Sequence, residues 1–399
     1  MKRQIWRLSL ENVVPFAKPE EKVLVLQGGG ALGAYQAGAY LTLAEAGMGV
    51  DWIAGISIGA IHAAILAGNP PEDHERKLRA FWELVTDDVV TFPGSDGPMF
   101  RALTNEISAA KAATLGIEGF FRPRGPFELL NELFSVDFWK GPTSFYDTSP
   151  LRQTLLDLAD FDYLNEKGPR VSVGAVEVES GNFAYFDSRH QTIAPEHIMA
   201  SAALPPGLPS VEIDGVHYWD GGMVSNTPLQ YVLEEPGDHP LLVFQIDLFS
   251  ARGHMPKSLL EVQQRDKDIR LSSRTRLTTD RYLQLHDIAG HAARLREKLP
   301  PELRDDPDMV ALYNAGPHRP VTLVLLINRS GEFDSGTKDY QFSRLTMTER
   351  WKAGQEDAAR TLANPLWTGR ELNRSGIDIL DLAAPEGGIG PHYSKVSAL

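Results

Sequence analysis

The sequence predicts an α/β protein built on a mainly parallel sheet, and three observations predict it. The apolar run Val23-Leu24-Val25-Leu26 passes through Gly28-Gly29-Gly30-Ala31-Leu32-Gly33 into a stretch of small residues at 34–41. Asp51-Trp52-Ile53-Ala54 then passes through Gly55-Ile56-Ser57-Ile58-Gly59 into a second small-residue stretch at 60–67, closed by Gly68. Two strand–turn–helix units in succession are the signature of parallel pairing, because parallel neighbours need a crossover between them. Finally, residues 241–246 and 321–327 are continuous apolar runs of the length of strands buried on both faces.

The remaining elements follow in order. Pro70-Pro71-Glu72-Asp73 opens a helix in which Leu78, Phe81, Trp82 and Val85 recur at helical spacing. From Phe120 to Tyr146 the chain is dense in aromatic residues: Phe120, Phe121, Phe127, Phe134, Phe138, Trp139, Phe145 and Tyr146. Such density suits a cap over an acyl-chain cleft and equally an ordinary core segment; if exposed, it could touch lipid. Thr148-Ser149-Pro150-Leu151 reads as an N-cap with proline in the first turn of a helix carrying Leu155 and Leu158. Strands resume at 171–178 and 183–186, joined by Ser180-Gly181-Asn182, and a hairpin is expected around Asp214-Gly215. Beyond 250, Leu285, Ile288, Ala289, Ala292, Leu295 and Leu299 form one helical stripe ended by Pro300-Pro301, and another helix is expected over 346–362. Before that stripe, Arg265, Lys267, Arg270, Arg274 and Arg276 outnumber Asp266 and Asp268; with acids interleaved, they read as a solvated helix face. Pro385-Glu386-Gly387-Gly388-Ile389-Gly390-Pro391 reads as a mobile tail.

The chemistry centres on Ser57. Gly55 and Gly59, two residues to either side, let a strand turn sharply into a helix and hold the hydroxyl clear of its own backbone. At the helix N-terminus, unpaired N–H groups and the positive end of the dipole favour a developing oxyanion. The alternative is that Ser57 is simply an N-cap. Turns at the carboxyl ends of neighbouring parallel strands face one crevice, so Gly28, Gly29, Gly30 and Gly33 can address the same bound group and offer backbone N–H donors to it. The same glycine pattern fits a dinucleotide fingerprint, with Asp51 as the ribose-binding acid. Asp51, however, begins the second strand, at the end away from a bound ribose.

A serine needs a base. Asp214 occupies the expected hairpin tip, a structural position, whereas Asp220 leaves the second strand of that hairpin and is followed by Gly221 and Gly222, which let the chain approach another backbone closely. Asn226-Thr227-Pro228-Leu229 then starts a helix. A Ser-His-Asp triad is disfavoured although histidines follow at 239, 254, 286, 291, 318 and 392, because the serine turn belongs to only the second strand. His62, five residues along the helix from Ser57, is expected to pack away from the turn, and His217 lies in the hairpin.

The glycine loop at 28–33, GxSxG at 55–59 and Asp220-Gly221-Gly222, in that order, resemble the patatin-like phospholipases over residues 20–250. The segment 198–205 resembles that family's helix leading toward its aspartate. The resemblance implies a three-layer α/β/α fold with Ser57 as nucleophile, Asp220 as its only side-chain partner, Gly28, Gly29 and Gly30 shaping the oxyanion site, and no cofactor or metal. It implies a lipid or other acyl-ester substrate, cleaved through an acyl-serine intermediate. One position departs: the family's loop usually carries a basic residue just before its last glycine, where this chain has Leu32. That departure keeps open a catalytically weak or silent lipid-binding or regulatory protein, and the glycine fingerprint keeps open an NAD(P)-binding oxidoreductase.

The chain divides into an N-terminal arm (1–20), a catalytic domain (21–250), a largely helical extension contributing a strand (251–384) and a flexible tail (385–399). The extension resembles the uncharacterised one on some bacterial patatin-like proteins and shows no catalytic motif of its own. Among the 399 residues there is no cysteine, which excludes disulfides and thiolate chemistry. The formal charge of −14 disfavours nucleic acid and anionic headgroups, leaving peripheral membrane contact to a local or hydrophobic patch. Arg7 and Glu11 interrupt any signal-peptide core, so the expected location is cytoplasmic, with transient membrane association. Nothing in the sequence fixes an oligomeric state.

Overall fold

The computed structural model describes residues 19–87, 98–125, 143–273, 275–316, 319–329, 337–370 and 376–383. The proposed tail, most of the N-terminal arm, and Phe127, Phe134, Phe138 and Trp139 lie outside them. Among the described residues a nine-stranded sheet runs through the molecule. Its strands are β1 (Glu21–Leu26), β2 (Trp52–Gly55), β5 (Arg170–Glu177), β6 (Phe183–Asp187), β7 (Val211–Ile213), β8 (Val216–Asp220), β9 (Leu241–Asp247), β10 (Val321–Ile327) and β11 (Ile377–Leu380). β3 (Arg122–Pro123) and β4 (Tyr146–Asp147) form a separate pair. The order β11-β10-β9-β1-β2-β5 is parallel throughout, while β6 and β8 pair antiparallel with β5 and β7 with β8. The expected mainly parallel sheet is therefore present, with a hairpin whose turn residues Asp214 and Gly215 both have positive φ, at 52° and 81°.

Alternation along the strands builds three layers. Leu24, Leu26, Ile53 and Val173 face one side, where α1 (Ala34–Glu45), α2 (Ile58–Ala67), α3 (His74–Val85) and the helix Arg344–Ala363 cover them. Val23, Val25, Trp52 and Ala54 face the other, against Leu229, Val232 and Leu233 of the helix Leu229–Glu234 and Tyr282 of the helix Thr275–Lys298. Both faces of the central strands are buried, which is why β1, β2 and β9 read as unbroken apolar runs.

The region beyond residue 250 is continuous with this core. It contributes two strands rather than the one expected, β10 extending the sheet from β9 and β11 from β10. The helix Arg344–Ala363 lies against α1 so closely that a Cβ on Gly38 would overlap the Trp351 carbonyl, and one on Gly354 the Tyr35 carbonyl. Tyr35 adds a hydrogen bond, its hydroxyl donating to Asp357 Oδ2 at 2.6 Å. The long helix differs from the expected stripe: Thr279, Tyr282, Ala289 and Ala292 are buried, whereas Ile288 and Leu295 are exposed. Alanine and threonine allow the helix to sit close on its neighbours, and that contact is too narrow to cover the larger side chains beside it. The segment 265–270 also departs from a solvated face, because Lys267 and Asp268 form partly buried ion pairs with Asp339 and Lys338.

Gly38→Ala is expected to destabilise the protein by about 1–3 kcal/mol, the usual cost of overpacking a close contact. In urea the unfolding midpoint should fall while the slope holds; wild-type stability would show that the two helices do not meet at this distance.

Candidate active site

The hairpin delivers Asp220 to Ser57 through one strand that both share. β2 pairs with residues Arg170 to Val173 of β5, and β8 pairs with Ala175 to Glu177. β6 pairs with Ser172 to Val176, occupying the opposite edge of β5 along both stretches. β2 and β8 therefore lie on the same edge and run toward each other, ending at Gly55 and Asp220 with only Gly174 between their partners. A Cβ on Gly174 would press on the Ile56 and Phe183 side chains, and one on Gly221 would overlap the Gly174 carbonyl. Two segments separated by more than 160 residues thus end side by side.

Ser57 has φ 55° and ψ −120°, a backbone conformation that non-glycine residues rarely adopt. It precedes α2, yet its side chain makes no capping hydrogen bond, so the simple N-cap reading fails. A Cβ on Gly55 would overlap the Gly59 carbonyl and one on Gly59 the Leu26 carbonyl, which is why both turn positions are glycine. The Ser57 N–H donates to Ser201 Oγ at 3.1 Å, and that hydroxyl donates in turn to the Gly174 carbonyl at 2.7 Å. Two residues on, the Ala203 carbonyl accepts from Asp220 N–H at 3.0 Å. The segment after the helix Pro195–Ser201 therefore braces the backbones of both Ser57 and Asp220. The sequence drew attention to 198–205 only as a resemblance; the signal for Ser201 is a serine buried between two alanines.

Asp220 is buried, and its Oδ1 accepts from Gly222 N–H at 2.7 Å. Burial raises its pKa to about 6, against the opposing pull of hydrogen bonds from the Ser57 hydroxyl and the Gly222 N–H. The Ser57 hydroxyl is thus close enough to oppose the effect of burial on a carboxyl group that titrates at about 6.

In the glycine loop, Gly28, Gly29 and Gly30 all line the cavity above Ser57. Their N–H groups are not equivalent. Gly28 donates to the Asn226 carbonyl at 3.1 Å, while those of Gly29 and Gly30 have no partner among the described residues. Gly30 has φ 52°, a value glycine adopts without strain. Gly33 sits below, packed on Ile58 and Trp82 where a side chain would collide with them. Asn226, treated in sequence only as part of a helix start, bonds through Nδ2 to the carbonyls of Gly28 at 3.0 Å and Leu271 at 2.9 Å. It ties the loop, the Asp220 turn and the C-terminal region together.

Leu32 is fully buried in the core, so no charge approaches from that position. Arg270, paired with Asp266 at 2.7 Å, is the single cation among the described lining residues. His62 is buried and neutral: its pKa falls to about 3 through burial, its Nδ1 meets Gln36 Oε1 at 3.1 Å and its Nε2 accepts from Trp82 Nε1 at 3.1 Å. His217 stays on the exposed hairpin, 3.3 Å from Ser210 Oγ. Asp51 accepts from Lys22 N–H at the amino end of β2, opposite the site, where no ribose bound at the glycine loop could reach it.

The cavity measures about 290 Å³ and its walls are mainly apolar, including Phe120, Phe121 and Tyr146 from the aromatic stretch. These three residues therefore line the cavity, and Phe121 is at the same time buried. No helix among the described residues is long and apolar enough to cross a membrane.

The family model described as patatin-like phospholipase matches residues 24–233, and a second, described as patatin phospholipase, matches residues 269–374. The chain belongs to the patatin-like phospholipase family, whose members are lipid-hydrolysing enzymes. No curated protein matches it. Among solved structures it is similar to VipD from Legionella pneumophila, with 14% identity and a TM-score of 0.32, covering 84% of this chain and 67% of that one. It is similar to ExoU of Pseudomonas aeruginosa in complex with SpcU, with 18% identity and a TM-score of 0.28 over 65% and 51% of the two chains. Human GIVD cytosolic phospholipase A2 matches with 12% identity and a TM-score of 0.35 over 86% and 59%. The chain thus spans about half to two thirds of the lengths of these proteins.

The raised pKa of Asp220 has a consequence for stability. The folded state holds the proton more tightly than the unfolded chain, so the wild type is stabilised by this group at acid pH and loses that contribution as pH rises through about 6. Asp220→Asn carries no such loss. The stability difference should shift in favour of the variant by about 1–3 kcal/mol between pH 4 and pH 8, measured by denaturant titration; a pH-independent difference would show that Asp220 is not desolvated.

Proposed function

We propose that this protein is a serine acyl hydrolase that cleaves carboxylic esters of lipids, of the phospholipase A or carboxylesterase type, with Ser57 as nucleophile and Asp220 as base. What supports the reading is that a serine whose side chain makes no cap and a buried carboxyl group with its pKa raised to about 6 line the same, mainly apolar cavity. A solvated aspartate is too weak a base for a hydroxyl; burial brings this one closer to the range where it can take a proton and return it.

The steps follow from the positions. Ser57 Oγ attacks the acyl carbonyl carbon while its proton passes to Asp220. The carbonyl oxygen, now negative, is received by the N–H groups of Gly29 and Gly30 and by the N-terminus of α2, where donors are fixed before the charge appears. The tetrahedral species collapses, the alcohol leaves with the proton held by Asp220, and an acyl-serine remains. Asp220 then draws a proton from water as it attacks the ester, and the fatty acid departs with Ser57 restored. Protein donors carry the oxyanion in both halves. Family membership supports the lipid substrate class, and the apolar walls suit an acyl chain. Lipid catabolism in the cytoplasm, with brief contact at a membrane surface, is the setting this reading implies. Leu32 favours a second reading, a lipid-binding protein that keeps the fold and has lost the rate.

The test treats wild type, Ser57→Ala and Asp220→Asn with a fluorophosphonate probe and a short-chain ester. Wild type should label and turn over, Ser57→Ala should do neither, and Asp220→Asn should lose at least about a hundredfold in rate. Equal traces in all three would reject the dyad, and absence of turnover in a wild type that binds fatty acid would favour the second reading. Because the base must be ionised, kcat/KM should fall below an apparent pKa of about 6 and be flat above pH 7; a profile flat to pH 4.5 would contradict Asp220 as the base.

A further inference from the structure

We propose that Lys267, Asp268, Lys338 and Asp339 form a crossed ionic latch by which the C-terminal region closes the cavity over Ser57 and sets which acyl chains it accepts. The proposal rests on reading the cavity as the acyl site, and deepens it: the wall that grips the chain comes from outside the segment carrying Ser57 and Asp220.

Two elements make that wall. One is the helix Leu259–Leu271, whose last turn supplies Arg270 and Leu271 to the cavity; the other is the short turn Lys338–Tyr340, which with Phe342 supplies Asp339 and Tyr340. No residue of the helix is buried, although Leu271 packs against the main core and Phe342 beyond the turn belongs to it. Charge pairs join the two elements to each other. Lys267 pairs with Asp339, and Asp268 with Lys338 at 2.7 Å, so consecutive residues of opposite sign on one element meet consecutive residues of opposite sign on the other. The side chains in these pairs are between 9% and 21% exposed, out of reach of most of the solvent screening that makes surface pairs nearly worthless.

Each lysine also reaches a cavity aromatic. Lys267 Nζ stands 5.4 Å from the Tyr340 ring centroid and Lys338 Nζ 5.3 Å from that of Phe249. Both rings line the cavity, so loosening the latch frees two of its apolar surfaces. The latched pair is moored on either side. The Leu271 carbonyl accepts from Gln27 Nε2 at 3.1 Å and from Asn226 Nδ2 at 2.9 Å, and the Lys338 carbonyl accepts from the buried Arg350 Nη2 at 3.0 Å. The Asp339 carbonyl lies directly against Gly30, where any side chain would overlap it. The turn thus presses on the glycine loop without bonding to the reacting atoms, which makes Lys338 and Asp268 positioning residues.

The experiment uses the full chain with Lys338→Ala, Asp268→Ala and the exchange Lys338→Asp with Asp268→Lys. The exchange places two lysines opposite two aspartates, so both cross-pairs keep opposite signs. Turnover of butyryl and dodecanoyl nitrophenyl esters is compared, and cis-parinaric acid binding is measured in parallel with Ser57→Ala added to each variant. The single variants should lower the dodecanoyl-to-butyryl ratio of kcat/KM about tenfold, chiefly through KM, and weaken fatty-acid binding by a similar factor; the exchange should restore both to within about threefold. General damage to the fold would lower both esters together and would not be rescued, and an unchanged ratio with unchanged binding overturns the latch. A wild type that hydrolyses neither ester, while the single variants still lose fatty-acid binding and the exchange regains it, sinks the hydrolase reading and leaves the latch standing.

Discussion

The structure depends on Ser57 being held in a backbone conformation that it would not choose. A non-glycine residue at φ 55° and ψ −120° is strained by a few kcal/mol at most, but it persists only where its surroundings determine it several times over. Here the determinants are separate. Gly55 and Gly59 permit the strand-to-helix turn, α2 begins directly after it, and Ser201 takes the N–H that the turn leaves over. Because none of these uses the Ser57 hydroxyl, the side chain remains available to the cavity and to Asp220. Strain at this point accompanies a serine whose side chain does not cap the helix that follows it.

The second constraint is electrostatic and follows from the first. Bringing β8 to the edge of β5 that β2 vacates puts Asp220 inside the protein, where the charged form loses water and regains two hydrogen bonds. The balance leaves a carboxyl group that titrates at about 6, above the usual carboxylate range. The glycine loop contributes without charge: Leu32 turns into the core, the Gly28 N–H is taken by Asn226, and those of Gly29 and Gly30 have no partner among the described residues. Among the described lining residues the single arginine, Arg270, stands paired with Asp266.

Much of this was legible in the sequence, for identifiable reasons. Glycine turns after apolar runs announced the parallel strands, the Asp214-Gly215 turn placed the hairpin, and the order of three motifs brought out Ser57 and Asp220. Those features are local, and local sequence constrains them. What could not be read were contacts between distant segments made by ordinary residues. Ser201 and Asn226 serve the site through one side chain each, bonded to backbone far away in the chain, and no spacing marks a serine or an asparagine for that work. The charges at 265–270 read as a solvated face because their partners at 338 and 339 lie some seventy residues on. The stripe on the long helix was misread for a related reason: periodicity shows which residues can face a core but not how wide the partner surface is.

The C-terminal region, which shows no motif, is part of the same body. It supplies two strands of the sheet, the helix packed onto α1, and one wall of the cavity. The central claim, that a strained serine, a buried acid and two loop N–H groups converge on one reacting carbon, is tested most directly by a crystal structure of the protein after treatment with an alkyl fluorophosphonate. The account expects phosphorus bonded to Ser57 Oγ, its free oxygen at about 2.7–3.1 Å from the Gly29 and Gly30 nitrogens, and Asp220 still beside the serine oxygen. Phosphorus on another residue, or its oxygen turned away from the glycine loop, would contradict it.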